Sequence, residues 1–386
     1  MSLPNLTPIP TVTLAPYRIH VPQADLDDML RRVATVRWSA AVPSLPDRDA
    51  GIASDVLHRL TEHWLTGWDW RDQESALNAW PQLIATIDGT PIHVIHVRSA
   101  EPKATPLLLT HGWPGTGFDF RDIIEALVSP RTRGTETSQA FHVVIPTIPG
   151  FGFSTPLGDA TWSPQRIARA WIALMDALGY DRFGVHGGDW GTPISLSVGH
   201  LAPDRVIGVH LSYLGTRASI DDPALSQEDR DRLAQTDDYV SHPAGYWVMQ
   251  STRPLTIAYA LADSPVGQLA WIADRILAWM APDSTVDDDR LLTTASIFWL
   301  ANAADSSARL HFTTAGARGG GPQPCPVPMA VAVSPNDLIQ PSRTIAERTY
   351  DIAQWTEFPR GGHFPAIEIP DLLSGDISTF FRHLAG

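Results

Sequence analysis

The sequence has a single cysteine, Cys325, and fewer basic than acidic residues. One cysteine excludes an internal disulfide framework of the kind found in small secreted proteins, and it suits a reducing cytoplasm. With 28 Lys and Arg against 42 Asp and Glu, the formal net charge is −14. This charge argues against nucleic acid or an anionic membrane as a partner, because both are themselves negative. We therefore expect a cytoplasmic protein.

Long apolar runs and the spacing of metal ligands are also missing. No uncharged apolar stretch approaches the length that a bilayer requires, and we expect no signal peptide. The 14 histidines are scattered; we interpret His111 as holding its loop by hydrogen bonds and His186 as a buried strand histidine. The acidic run 287–289 is typical of a solvated helix start. We expect no membrane anchor, no metal and no cofactor.

The front of the chain has three patterns. Residues 1–15 are rich in Pro and Thr and predict an extended arm. From Pro22 to Trp70 apolar residues recur at helical spacing, which predicts helices. The alternating stretch Ile87–Val97 then predicts a hairpin or a pair of edge strands with a turn at Asp88-Gly89.

Strands and helices alternate through much of the remaining chain. Such alternation predicts an α/β protein with a mainly parallel sheet covered by helices on both faces. The predicted strands after the hairpin are 107–109, a run that begins at Phe141, 182–185, 206–214, 326–334 and 351–359.

Between residues 215 and 321 the alternation stops and the pattern is wholly helical, with a Gly-rich end at 317–322. A helical insertion between two strands is expected to cap the carboxyl ends of the sheet, where α/β proteins bind ligands. We therefore predict an amino-terminal extension (1–84), a core in two parts (85–214 and 322–386) and a helical cap (215–321).

The segment HGGDWG, residues 186–191, lies between a predicted strand and a predicted helix. A small–x–acid–x–small pattern at this place is typical of a nucleophile elbow, a tight turn that raises one side chain above the sheet. The usual elbow carries Ser, whereas this one carries Asp189. A carboxylate attacks only a carbon able to accept it, such as a strained or halide-bearing carbon. An ordinary Asp beside a turn is the alternative.

Two further candidates, Asp337 and His363, each follow a predicted strand. Alone, Asp337 is consistent with a helix cap and His363 with a loop histidine. The carboxyl ends of parallel strands meet at one edge, so the two side chains and Asp189 are expected to lie together. The order acid nucleophile, acid, histidine then predicts a catalytic triad.

Four motifs together resemble the epoxide hydrolases of the α/β-hydrolase fold: HGWPG (111–115), GGDWG (187–191), SPNDL (334–338) and RGGHFPAIE (360–368). The resemblance is to the branch with an amino-terminal extension that includes the microsomal enzyme. It covers nearly the whole chain, since VRW and WDWR in the front segment and GYWVMQSTRP and DSPVGQLAWI in the cap also match.

The resemblance implies a cofactor-independent reaction of an epoxide with water to give a vicinal diol. Asp189 would open the oxirane and become a hydroxyalkyl ester. His363, oriented by Asp337, would activate the water that hydrolyses this ester. The backbone N–H groups of Trp113 and Trp190 would form the oxyanion hole.

Family members also use two cap tyrosines as hydrogen-bond donors to the epoxide oxygen. Tyr246 matches the first, but His311 stands at the second position. Two interpretations stay open: His311 replaces the donor, or it only fills space.

Other functions also fit parts of this sequence pattern. Haloalkane dehalogenases share an Asp elbow but typically carry Asn where Trp113 stands. A non-catalytic binding protein on the same fold is a second alternative. The aromatic-rich cap also suits a bulky epoxide, such as a natural product of secondary metabolism. A homodimer is the candidate assembly.

Overall fold

A computed structural model describes residues 10–39, 50–130, 139–159, 161–241, 245–315 and 324–385. The first part of the predicted arm and the whole Gly-rich end of the helical insertion lie outside the described residues.

Nine strands of the described chain form one sheet in the order β1-β2-β3-β5-β4-β6-β7-β8-β9. The last six in this order run parallel, and β1, β2 and β3 join them antiparallel at one edge. The predicted mainly parallel sheet is confirmed. The strands are β1 Val12–Tyr17, β2 Gln82–Ile87, β3 Thr90–Val97, β4 Thr105–Thr110, β5 Phe141–Pro146, β6 Phe183–Gly187, β7 Val206–Leu211, β8 Met329–Val333 and β9 Ile352–Glu357.

Helices cover both faces of the sheet. A Cβ at Gly208 would touch Phe380, whereas Val209 approaches Gly199 on another helix; neighbouring strand residues point to opposite faces, so these helices lie on opposite sides. The helices are α1 Gln23–Ala34, α2 Ser54–Thr66, α3 Trp70–Leu77, α4 Arg121–Val128, α5 Pro164–Ala177, α6 Gly191–Leu201, α7 Gln227–Ser241, α8 Gly245–Thr252, α9 Pro254–Asp263, α10 Pro265–Trp279, α11 Asp288–Leu300, α12 Ala304–Thr314, α13 Arg343–Ala346, α14 Pro365–Glu368 and α15 Pro370–Ala385.

The predicted hairpin is confirmed. Asp88 and Gly89 both have positive φ, 49° and 77°, as a two-residue hairpin turn of the twisted type requires. Part of the predicted arm is a strand, because β1 pairs along the whole of β2. The predicted boundary after residue 84 falls inside β2, and the four-part division stays a prediction.

The front helices pack against the core and against the helical insertion. The apolar stripe of α1 is buried through Leu26, Met29 and Val33, as its spacing predicts. From α2, Arg59 pairs with Asp288 and His63 Nε2 lies 2.7 Å from an Asp289 oxygen. The acidic run is therefore a helix start, as predicted, but two of its carboxylates bind α2.

Helices α7 to α12 follow β7 and precede β8, so the insertion, called the cap below, is helical in its described part. Aromatic rings of the cap lie on residues at the carboxyl ends of β4 and β6, for example Tyr246 on Trp113 and Trp247 on Trp190. No helix of the described chain is long and apolar enough to cross a membrane.

A buried carboxylate, Glu74, ties the front segment together. Its oxygens accept from Val21 N at 2.7 Å, from Trp70 Nε1 at 3.0 Å and from Arg71 Nη1 at 2.8 Å. These bonds keep the pKa of Glu74 below its usual value although burial opposes them.

We expect Glu74→Ala to lower the free energy of unfolding by about 2–3 kcal/mol, because buried N–H donors lose their acceptor. Urea denaturation measures this. Asp72→Ala, at an exposed position of the same helix, should cost less than about 0.5 kcal/mol. If the two variants lowered the free energy of unfolding equally, the role of Glu74 in holding the front segment together would be contradicted.

Candidate active site

The predicted elbow is a sharp turn between β6 and α6 with Asp189 at its tip. Asp189 has φ 47°, a left-handed conformation that non-glycine residues rarely adopt. The turn also needs Gly191, since a Cβ there would lie 2.0 Å from the carbonyl oxygen of Thr110. Strain of this kind typically costs about 1–3 kcal/mol and is common at functional sites.

The structure brings the three predicted triad residues together. His363 Nδ1 donates to Asp337 Oδ1 at 2.7 Å, and His363 Nε2 lies 3.7 Å from Asp189 Oδ2. The His363 side chain is 1% exposed, whereas that of Asp189 is 27% exposed. The carboxylate is thus reachable and the imidazole is shielded.

The loop that carries His363 is fixed by Glu368, a residue whose part the sequence analysis missed. Glu368 accepts from the backbone N–H groups of Gly362 at 3.0 Å, Phe364 at 2.9 Å and Ala281 at 2.8 Å. Ala281 follows α10 of the cap, so one carboxylate joins the histidine loop to the cap. The signal for Glu368 in the sequence was its place at the end of the motif RGGHFPAIE.

Charges around His363 favour its protonated form. Burial alone would lower the pKa of His363, but the charges of Asp337 and Asp189 and the hydrogen bond to Asp337 outweigh burial and raise it to about 10. In the free protein the ring is therefore an imidazolium between two carboxylates at neutral pH.

One predicted oxyanion donor forms a hydrogen bond with the predicted nucleophile. Trp113 N donates to Asp189 Oδ1 at 2.7 Å, and the approach is close because a Cβ on Gly112 would lie 2.2 Å from the same oxygen. Trp190 directly precedes α6, so its N–H belongs to the positive end of that helix. Trp113 N thus lies on the Asp189 carboxyl group, and the catalytic role of both N–H groups stays a prediction.

Aromatic rings from the cap and the core enclose the space above Asp189. Trp113 stacks on Tyr246 with ring centres 4.8 Å apart, and Trp190 stacks on Trp247 at 5.8 Å. Trp279 of the cap meets His363 edge to face at 5.1 Å. The lining is apolar, so charges inside it are poorly screened.

Two tyrosine hydroxyls of the cap form a pair. Tyr246 Oη and Tyr239 Oη lie 3.5 Å apart. Burial raises the pKa of Tyr246 far above its usual value, and Tyr239 and the charge of Asp189 raise it further. Tyr246 therefore stays protonated and able to donate. Tyr239 belongs to no motif, so the sequence alone did not point to it.

His311 lies in the same site, buried at 1% exposure. Its Nε2 accepts from Trp190 Nε1 at 3.4 Å, and Gln250 Nε2 lies 3.4 Å from its Nδ1. The rings of Trp190 and Trp247 stand nearly perpendicular to it at 4.9 and 4.7 Å. This position is consistent with either interpretation of His311, although the bond from Trp190 engages the lone pair of Nε2.

The two histidines interpreted as structural are part of the buried framework. His111 Nε2 accepts a hydrogen bond from Ile148 N, and its Nδ1 donates one to the carbonyl oxygen of Gly112, both at 2.9 Å. His186 Nδ1 lies 3.0 Å from His210 Nδ1. Burial lowers the pKa of His111 to about 4 and that of His186 well below its usual value. Among the described residues no cluster of His, Cys, Asp and Glu could hold a metal ion.

A cavity of about 50 Å³ reaches Asp189 and His363 from the side of the core. A larger groove of about 690 Å³ lies between the cap and the loop at 155–159, and no triad residue lines it. The chemistry of the site therefore belongs to the smaller cavity and the aromatic lining above it.

Comparison with known proteins agrees with this geometry. Residues 14–120 match the family model described as the epoxide hydrolase N terminus, and residues 105–241 match that of the alpha/beta hydrolase fold. A Stigmatella aurantiaca protein, provisionally named an epoxide hydrolase, is 39% identical over 96% of this chain and 85% of its own length. Epoxide hydrolase 1 of Sus scrofa is 30% identical over 95% of this chain and 88% of its own.

A solved structure supports the same conclusion. The Aspergillus niger epoxide hydrolase superposes with a TM-score of 0.86 at 28% identity, over 97% of this chain and 98% of that one. The sheet, the elbow and these relatives agree, and the chain belongs to the epoxide hydrolases of the α/β-hydrolase fold.

Proposed function

We propose that this epoxide hydrolase forms a vicinal diol through a covalent ester on Asp189. The observation that supports this most is the position of the Asp189 carboxylate. One oxygen is held by Trp113 N at 2.7 Å, and the other lies 3.7 Å from the ring of His363. A fixed, partly exposed carboxylate beside a charged imidazole suits attack on an oxirane carbon and later release.

In the first step an Asp189 oxygen attacks the carbon and the C–O bond of the ring breaks. The leaving oxygen takes a proton from Tyr246, whose raised pKa keeps it a donor until that moment. Tyr239, at 3.5 Å from Tyr246, stabilises the phenolate by a hydrogen bond. The resulting ester removes the negative charge of Asp189.

Loss of this charge changes His363. Asp189 supplies one of the two negative charges that raise the pKa of His363, so esterification lowers that pKa. The proton released from the ring replaces the one that Tyr246 gave. His363 becomes a neutral base at the moment when a base is needed, and no net proton is taken from solvent.

In the second step His363 Nε2 takes a proton from water while its oxygen attacks the ester carbon. Trp113 N, already on an Asp189 oxygen, stabilises the negative charge of the tetrahedral intermediate, with Trp190 N as the second donor. Such a donor is worth about 3–4 kcal/mol elsewhere. Collapse releases the diol and restores the carboxylate and the imidazolium.

Membership of this family favours epoxide opening over dehalogenation or mere binding. For the substrate, the aromatic lining favours an oxirane with an apolar, flat substituent. A bulky natural-product epoxide would require the cap rings to shift, since Tyr246 stacks on Trp113 and Trp247 stacks on Trp190. The cytoplasmic location, the homodimer and a donor role for His311 stay predictions.

Asp189→Ala should lower turnover of styrene oxide by at least about 10⁴-fold, because no nucleophile remains. Diol formation measured by chromatography tests this. Asp181→Ala, an exposed carboxylate before the elbow strand, serves as the matched control and should keep full activity. Retained activity in Asp189→Ala would disprove the covalent mechanism.

Tyr246→Phe should slow ester formation by about 10²-fold, the usual effect of a general acid, with little change in the hydrolysis rate. Stopped-flow tryptophan fluorescence in single turnovers separates the two steps. The control is Tyr259→Phe, a cap tyrosine that is 72% exposed. If ester formation kept its rate in Tyr246→Phe, another group would have to protonate the epoxide oxygen.

A further inference from the structure

A carboxyl group that the mechanism above does not use lies in the cavity next to the nucleophile. Asp119 belongs to the short turn Gly117–Phe120, which follows the HGWPG loop and leads into α4. It lines the cavity of about 50 Å³ together with Asp189 and His363. Taking a charged carboxyl group out of water costs free energy unless the group is paired or hydrogen-bonded.

Neighbouring groups hold the Asp119 carboxyl group in place. A Cβ on Gly115 would lie 1.6 Å from Asp119 Oδ2, so the group packs directly on the loop that carries the oxyanion donor. The backbone N–H of Thr116 bonds it, and the positive charges of Arg290 and Arg121 act on it. Burial outweighs these contributions and raises the pKa of Asp119 to about 6, so it is mainly ionised at neutral pH.

The cavity is built for water and not for the epoxide. Its volume exceeds the 10–15 Å³ or so that one water needs. Polar groups of Asp119, Ser212 and His363 line it, as does Asp189 itself. None of the cap helices contributes to its lining, whereas the tyrosine donors come from the cap. Water and epoxide therefore reach Asp189 from different sides.

We propose that Asp119 is a positioning residue that holds the hydrolytic water in this cavity for His363. This inference rests on the proposed ester mechanism. The water donates one hydrogen bond to Asp119 and gives its other proton to His363 Nε2. Its oxygen bonds to the ester carbon of Asp189. The ester C–O bond then breaks, and the leaving alkoxide becomes the diol by taking the proton that the former water still carries, which restores the Asp189 carboxylate. Asp119 gains and loses no proton.

The test is a single-turnover experiment with the full chain and styrene oxide. Asp119→Leu should lower the rate of ester hydrolysis by about 10-fold to 100-fold, the usual effect of a misplaced reactant, and should leave the rate of ester formation within about twofold. Asp119→Asn should recover most of the hydrolysis rate, because an amide oxygen can still accept from water. Glu125→Gln, at an exposed position of α4 outside the cavity, is the control and should keep both rates.

Ala366→Val gives an independent variant should Asp119→Leu fail to fold. Ala366 lines the same cavity, and the added methyl groups should displace water and slow hydrolysis alone. Equal losses in both steps, or an unchanged hydrolysis rate in these variants, would overturn the role of Asp119. Absence of any ester phase in the unmodified protein would instead contradict the proposed mechanism.

Discussion

The negative charge of Asp189 is the constraint on which the rest of the site depends. The elbow holds its backbone in a left-handed conformation, Trp113 N binds one oxygen, and the imidazolium of His363 faces the other. Glycines at 112 and 191 are needed because any larger residue would collide with Asp189 or with β4. The carboxylate is thus held ready to react and stays open to the site.

The core and the cap contribute different chemistry. In the proposed mechanism the core supplies the nucleophile, the base and the oxyanion donors from the carboxyl ends of its strands, where parallel sheets expose side chains. The cap supplies hydroxyl donors and an apolar cover, which strengthens charge interactions below it. Glu368 joins the two through Ala281 and the histidine loop. Pairs between α2 and α11 join the front segment to the cap as well.

Much of this was predictable from sequence, for physical reasons. Strand periodicity located the sheet, and Asp189, Asp337 and His363 were identified because each follows a strand. β1 was not predicted because residues 1–15 are rich in Pro and Thr, yet proline, here Pro16, is tolerated at a sheet edge. Tyr239 and Asp119 were missed because their roles depend on contacts between distant segments, which no local pattern encodes. The ring contacts of His311 with Trp190 and Trp247 also join distant segments, so the sequence pointed to the residue but not to these neighbours.

The charges of Asp337 and Asp189 together hold His363 protonated, and we propose that loss of the Asp189 charge on esterification lowers the pKa of the ring and frees the base. Titration of the His363 ring by NMR, with its signal assigned by loss in His363→Gln, tests this directly. The account predicts a pKa of about 10 in the unmodified protein and a clearly lower pKa in Asp189→Asn, which keeps the shape and removes the charge. An equal pKa in the two proteins would contradict it.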